Sequence, residues 1–158
     1  MKTVYIAMST DILHEGHINI INEGAKYGVV IIGLLSDKAI SEYKRMPLLT
    51  FEERKIIFEN IKNVSKVVKQ DSLDYTNILN ELRPDFVVHG DDWKEGVQQE
   101  TRAKVIETLK KWYGKLIEVP YTQGISASEI EFKARKLYNT PDRRREKIKK
   151  MITAKPYI

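Results

Sequence analysis

The sequence contains no cysteine, which excludes a disulfide framework, a thiolate metal site and a cysteine nucleophile. It has no apolar run approaching the roughly 18 residues that a membrane-spanning helix requires. Its opening residues, Met1-Lys2-Thr3-Val4, turn polar too soon for a signal peptide. These absences predict a soluble, cytoplasmic protein with no membrane partner. Internal repeats and low-complexity tracts are also missing. Histidine is scarce, three in 158 residues, so a pair of them close together carries information.

The net charge of +5 is unevenly spread. Residues 133–155 hold ten Lys or Arg against two acids, Asp142 and Glu146, leaving the rest of the chain mildly acidic. A basic tail of this kind is more often a solvated helix face than a nucleic-acid surface, and no nucleic-acid partner is expected. Asn139-Thr140-Pro141-Asp142 reads as a boundary. It divides a domain over 1–139 from a basic tail over 140–158, in which 143–151 is expected to form a short helix.

Along the chain, apolar runs at 4–8, 29–35, 64–68, 86–88 and 116–119 read as buried strands. Helical spacing of Ile18, Ile21 and Ala25 fills the first gap, with Gly28 as a stop. Thr50-Phe51-Glu52-Glu53 is a capping box opening a helix to about Lys62, with Ile57, Phe58 and Ile61 facing the core. Asp74 caps a helix ended by Pro84, a longer helix runs from Gln98 to Tyr113, and Ser126-Ala127-Ser128-Glu129 opens another that reaches Tyr138. Strands alternating with helices predict an α/β fold, a Rossmann-like doubly wound parallel sheet of about five strands with helices on both faces. Ligands bind such sheets at the carboxyl ends of the strands, near the point where strand order reverses.

The segment Asp11-Ile12-Leu13-His14-Glu15-Gly16-His17 lies in the loop after the first strand and enters the first helix, where phosphate is expected to bind. Histidines three apart at a helix start share a side, and Gly16 lets a ligand approach the backbone. Imidazolium groups placed there can donate to phosphorus-bound oxygens as negative charge grows. Two surface histidines on a helix cap would be the ordinary alternative. Zinc is a poorer one, because helical zinc-binding pairs are spaced four apart and no third ligand is at hand. Ser9 and Thr10 end the first strand and offer hydroxyls or amides. Lys44 and Arg45 occupy a polar loop before a helix. Asp91, Asp92 and Trp93 follow a buried strand at Gly90. Ser126 and Ser128 stand at a helix N-terminus, which favours phosphate.

Over about residues 3–135 the sequence resembles the cytidylyltransferase family typified by glycerol-3-phosphate cytidylyltransferase, within the HxGH nucleotidyltransferase superfamily. The resemblance rests on His14-Glu15-Gly16-His17, Lys44-Arg45-Met46-Pro47 with Thr50-Phe51-Glu52-Glu53-Arg54, Gly90-Asp91-Asp92-Trp93, and Thr122-Gln123-Gly124-Ile125-Ser126-Ala127-Ser128. It implies that His14, His17, Lys44 and Arg45 are catalytic. It implies nucleotide contacts from Ser9, Thr10, Asp11, Gly16, Gly90, Asp92, Trp93, Thr122, Gly124, Ile125, Ser126 and Ser128. Asp11, Asp91 and Lys44 would meet the acceptor. It further implies CTP as donor, Mg²⁺ bound through the triphosphate with no protein metal ligands, and a homodimer. An ATP-using relative or a non-catalytic nucleotide sensor would share the first motif. Two positions depart from the family: Tyr121 and Lys62 stand where it usually has a basic residue and an arginine.

The tail from Thr140-Pro141-Asp142-Arg143 to Ala154-Lys155-Pro156 resembles the opening of phosphoenolpyruvate mutase, the first enzyme of phosphonate biosynthesis. This implies the N-terminal domain of a cytidylyltransferase–mutase fusion. The acceptor would be 2-hydroxyethylphosphonate or 2-aminoethylphosphonate, with glycerol 3-phosphate behind them.

Overall fold

The computed structural model describes residues 1–9, 11–139, 146 and 149–150. Thr10, the boundary after Asn139 and the helix expected over 143–151 fall outside the described residues, wholly or in most of their length. In chain order the elements are β1 (Thr3–Met8), α1 (Glu15–Ala25), β2 (Val29–Leu35), α2 (Asp37–Ser41), α3 (Phe51–Glu59), β3 (Val64–Gln70), α4 (Thr76–Leu82), β4 (Phe86–Gly90), α5 (Gln99–Lys110), β5 (Lys115–Val119) and α6 (Ala127–Tyr138), with 3-10 turns at Asp91–Lys94 and Gly96–Gln98. Among the described residues no helix is long and apolar enough to cross a membrane.

All five strands are parallel, in the order β3-β2-β1-β4-β5. The α/β doubly wound architecture is as expected. The two faces of β1 show why its run is apolar throughout. Val4, Ile6 and Met8 join Ile21 of α1 and Phe58 of α3 in one core. Tyr5 points the other way, into a second core with Tyr75, Leu79, Trp93, Val105 and Leu109. Alternate residues of a strand face opposite sides, so a central strand covered on both faces has no polar side to show.

The chain winds outward from β1 through β2 to β3, then returns to place β4 on the other flank of β1. Strand order therefore reverses between β1 and β4, and a crevice opens at their carboxyl ends.

Local capping follows the sequence closely at α3, where Thr50 and Glu53 bond reciprocally. That helix stops at Glu59 rather than Lys62: the cap residue Asn60 already leaves helical geometry at φ −104°, and Asn63 then adopts a left-handed turn at φ 73°. Ile57, expected to face the core, lies on the outer face of the helix and is exposed, while Phe58 and Ile61 pack inward. Asp74 accepts a hydrogen bond from the Thr76 backbone at 2.8 Å, one residue off the cap position at Tyr75. Ser126 caps α6 through the Glu129 backbone at 3.0 Å. The short α2, capped by Ser36, has no counterpart in the sequence reading.

A candidate active site at the strand-order reversal

A cavity of about 300 Å³ sits at the carboxyl ends of β1 and β4. His14, Gly16 and His17 from the start of α1 form one wall, and Thr122, Ile125 and Ser126 from the loop into α6 form another. Ser9, Lys44, Gly90 and Asp92 complete the set of expected site residues that face it. Residues more than 100 positions apart in the chain are thus brought to one pocket by the reversal of strand order.

The two imidazoles are joined by their roles in capping α1. His14 Nδ1 accepts from the Gly16 backbone N–H at 3.1 Å, and His17 Nδ1 accepts from the His14 backbone N–H at 3.2 Å. Their ring centroids lie 3.9 Å apart. Since both Nδ1 atoms accept, each neutral ring carries its proton on Nε2. Burial is the main cause lowering both pKa values, and for His17 the neighbouring His14 and Lys44 help push it down to about 4. The rings are therefore neutral Nε2–H donors near pH 7, not the imidazolium groups expected from the sequence. Their capping duty and their donor capacity use different nitrogens, so one does not compete with the other.

Two predictions follow from this geometry. A Cβ on residue 16 would come within 2.9 Å of His14 Cε1 and 3.0 Å of its Nδ1. Gly16→Ala is therefore expected to push the His14 ring aside and lower turnover by about tenfold, the scale of one weakened transition-state donor, with helix content by circular dichroism unchanged. The second concerns pH. With a folded pKa near 4 against 6.5 unfolded, His17 favours the folded state fully above pH 6.5. As pH falls from 6.5 to 4 the unfolded chain takes up the proton first, and that advantage is lost. Thermal melts of the ligand-free protein across this window should fall, and the His17→Gln variant should fall less steeply.

Lys44 donates to Ser9 Oγ at 2.9 Å, tying the loop before α3 to the end of β1. Arg45 goes elsewhere. Its guanidinium pairs with Glu131 on α6 and lies 3.6 Å from Asp11. Arg45, Asp11 and Ser128 line a separate cavity of about 160 Å³, which shares only Ser9, Lys44 and Ala127 with the main one. Asp11 accepts from the Leu48 and Leu49 backbones. Burial works against its charge, but those bonds and Arg45 outweigh it and lower its pKa. Asp11 is thus a clasp for the 44–49 loop, and in this structure neither it nor Arg45 reaches the histidine pocket as the sequence suggested.

Three further expectations need correction. Asp91 does not face the cavity; its Oδ1 accepts from the Tyr121 backbone at 2.9 Å and pins the loop after β5. Trp93 is 1% exposed and lies in the second core, because the 3-10 turn after β4 swings its indole back under the sheet. Gly124 is outside the cavity wall, at a turn with φ 77° that an L side chain rarely adopts. It shapes the loop that carries Ile125 and Ser126. Tyr121 lines the cavity and its hydroxyl lies 3.4 Å from the Ile125 carbonyl, so it braces the loop in place of a phosphate-binding cation. Lys62 lines neither of these two cavities.

The structure gives roles to residues to which the sequence reading assigned none. Arg54 is 1% exposed; it donates to the Leu35 carbonyl at 2.9 Å and pairs with Asp37 at 2.6 Å. A third bond, to the Leu49 carbonyl at 3.3 Å, anchors the far end of the Lys44 loop to the tip of β2. His89 stacks flat on Trp93, with ring centroids 3.7 Å apart, and joins the cavity wall from β4. Beneath them Trp93 donates to Glu118 at 2.9 Å. The Arg102 guanidinium, with that indole N–H and Lys94, lowers the Glu118 carboxyl to about 2.

The sequence matches the Cytidylyltransferase-like family model over residues 9–132. The chain is 34% identical over 82 residues to the FAD synthase of Archaeoglobus fulgidus, covering 52% of this chain and 60% of that protein. It is 32% identical to the probable ethanolamine-phosphate cytidylyltransferase of Schizosaccharomyces pombe, covering 76% of this chain but only 32% of that protein. Among solved structures, the lipopolysaccharide core biosynthesis protein of Thermoplasma volcanium superposes with a TM-score of 0.63 at 21% identity. That match covers 77% of this chain and 97% of that one, a likeness of fold. With the family match running from Ser9 to Phe132 and enclosing the histidine pair, the lysine loop and the serine-capped helix, the chain belongs to the cytidylyltransferase-like family.

Proposed function

We propose that the chain transfers CMP from CTP to a small phosphonate or phosphate acceptor and releases pyrophosphate. The observation that carries this reading is the pair of neutral imidazoles, each with Nδ1 engaged and Nε2–H left to donate, in a cavity shared with Lys44 and the N-terminus of α6. An acceptor oxygen attacks the α-phosphorus in line. The bond from that phosphorus to the bridging oxygen breaks, and pyrophosphate leaves with the electron pair. Charge then grows on the phosphoryl oxygens, where preorganised donors in a partly water-excluded site count most. His14 and His17 supply those donors, Lys44 supplies a cation, and the α6 terminus adds its partial positive charge. Magnesium would come with the triphosphate and supply neutralisation of its charge, with no protein ligand required.

The ethanolamine-phosphate cytidylyltransferase relatives support a cytidylyl donor and a phosphorylated acceptor. The resemblance of the tail favours 2-hydroxyethylphosphonate and 2-aminoethylphosphonate, ahead of glycerol 3-phosphate. Residues 1–139 would then be the transferase unit, and 140–158 the lead into a following mutase domain. The FAD synthase relatives, whose named product contains an adenine nucleotide, keep ATP as the second donor to test. Thermal-shift titrations with CTP and ATP decide between them: stronger protection by CTP is expected, and stronger protection by ATP makes the chain an adenylyltransferase. A pyrophosphate-release screen over phosphonates and phosphoalcohols then tests transfer itself.

A further inference from the structure

A second cavity of about 240 Å³ adjoins the first at the strand ends. The two share Ala7, Ser9, Tyr43, His89 and Gln98 as a common wall. Beyond that wall the second cavity is closed by Leu35, Leu73, Tyr75 and Thr101. No carboxylate, lysine or arginine lines it. The Lys44 ammonium lies 5.3 Å from the centroid of the Tyr43 ring that lines it. Two substrates can occupy adjoining compartments, and this one, at about 240 Å³ against about 300 Å³, suits the smaller of them.

His89 gives that compartment its chemistry. Its Nδ1 lies 2.8 Å from the Gly90 carbonyl oxygen. A carbonyl can only accept, so Nδ1 carries the ring proton and Nε2 is left as an acceptor. The flat stack on Trp93 and the Gly90 bond together fix the ring plane. Among the described residues no hydrogen bond to Nε2 is made, and His89 lines both cavities. Asp92 lies 3.9 Å from Nδ1, on the engaged side of the ring.

Resting on the transferase reading above, we infer that the second cavity holds the organic tail of the acceptor, that this tail is small, uncharged and hydroxylated, and that His89 Nε2 accepts the hydrogen bond of its hydroxyl. No carboxylate is among the lining residues to pair with a cationic tail, the Tyr43 ring already faces the Lys44 ammonium, and Asp92 stands on the Nδ1 side of His89 in the wall of the first cavity. A hydroxyl needs only an acceptor, and a site built to bond a hydroxyl rejects the analogue that lacks it.

The test is equilibrium binding by calorimetry of three probes, 2-hydroxyethylphosphonate, ethylphosphonate and 2-aminoethylphosphonate, in the presence of a CTP analogue with a methylene between the α and β phosphorus atoms. The full chain and its His89→Phe variant, which keeps a ring over Trp93, are compared. Hydroxyethyl is expected to bind about tenfold more tightly than ethyl, the upper range for one neutral hydrogen bond, and more tightly still than aminoethyl. In His89→Phe the preference for hydroxyethyl over ethyl should fall to about one, and binding of the CTP analogue, measured alongside, reports any change in the first cavity that His89 also lines. Aminoethyl binding as well as hydroxyethyl, or a hydroxyl preference that survives in the variant, overturns the inference, as does failure of all three probes to bind. If the variant does not fold, the ranking of the three probes on the unaltered chain decides. Binding in the expected order without pyrophosphate release defeats the transferase reading while leaving the subsite in place.

Discussion

His17→Ala is expected to lower turnover at least ~100-fold, the cost of removing one donor to a developing phosphoryl charge. The variant loses two things, and they can be measured apart. One is the Nε2–H that faces the cavity. The other is the bond from the His14 backbone to Nδ1, which closes the first turn of α1. Loss of a cap costs about 1 kcal/mol, so the melting temperature should fall by only a few degrees in a chain of this size. Circular dichroism and CTP-induced protection report the fold and the pocket; pyrophosphate release reports the chemistry. A folded His17→Ala protein with near-normal turnover would remove the imidazole from the reaction.

Trp93→Ala carries the largest expected loss of stability. The indole is 1% exposed, packs with Tyr75 in the second core and hydrogen-bonds Glu118. Truncating a buried Trp to Ala typically costs ~3–5 kcal/mol through lost burial and the cavity left behind, equivalent to a melting temperature lower by roughly 10 °C or more. Function should suffer beyond stability, because His89 loses the surface it stacks on. Trp93→Phe separates these effects. It keeps an aromatic platform but loses the Glu118 bond and part of the indole's buried volume, so its melting temperature should lie between those of the parent and Trp93→Ala. A Trp93→Ala protein that melts with the parent would place the indole outside the core.

What could be read in advance depended on how far each feature reaches along the chain. The parallel sheet was legible because strands covered on both faces, such as 29–35, must be apolar throughout, and that is a local property. The Thr50–Glu53 box was legible because its partners lie three residues apart. The short α2 was missed, although Ser36 is an N-cap residue whose side chain does accept from the Ala39 backbone. His89 was missed for a different reason. In Val88-His89-Gly90 it reads as a strand residue of no note, and its importance comes from β4 lying beside β1, which only the strand order reveals. Arg45 was expected in the pocket because nothing local shows that Glu131, 86 residues later, stands opposite it. Trp93 was misplaced because one 3-10 turn decides whether an indole lines a cavity or underlies it.

The most direct measurement is ³¹P NMR of the full chain incubated with CTP, magnesium and 2-hydroxyethylphosphonate. Transfer predicts paired, mutually coupled signals from one phosphate and one phosphonate phosphorus joined through oxygen, growing in step with pyrophosphate and nearly abolished in His17→Ala. If CTP binds yet no such anhydride forms with this acceptor, with 2-aminoethylphosphonate or with glycerol 3-phosphate, or if CTP is merely hydrolysed to CMP, then the cavity between β1 and β4 does not perform cytidylyl transfer to these acceptors.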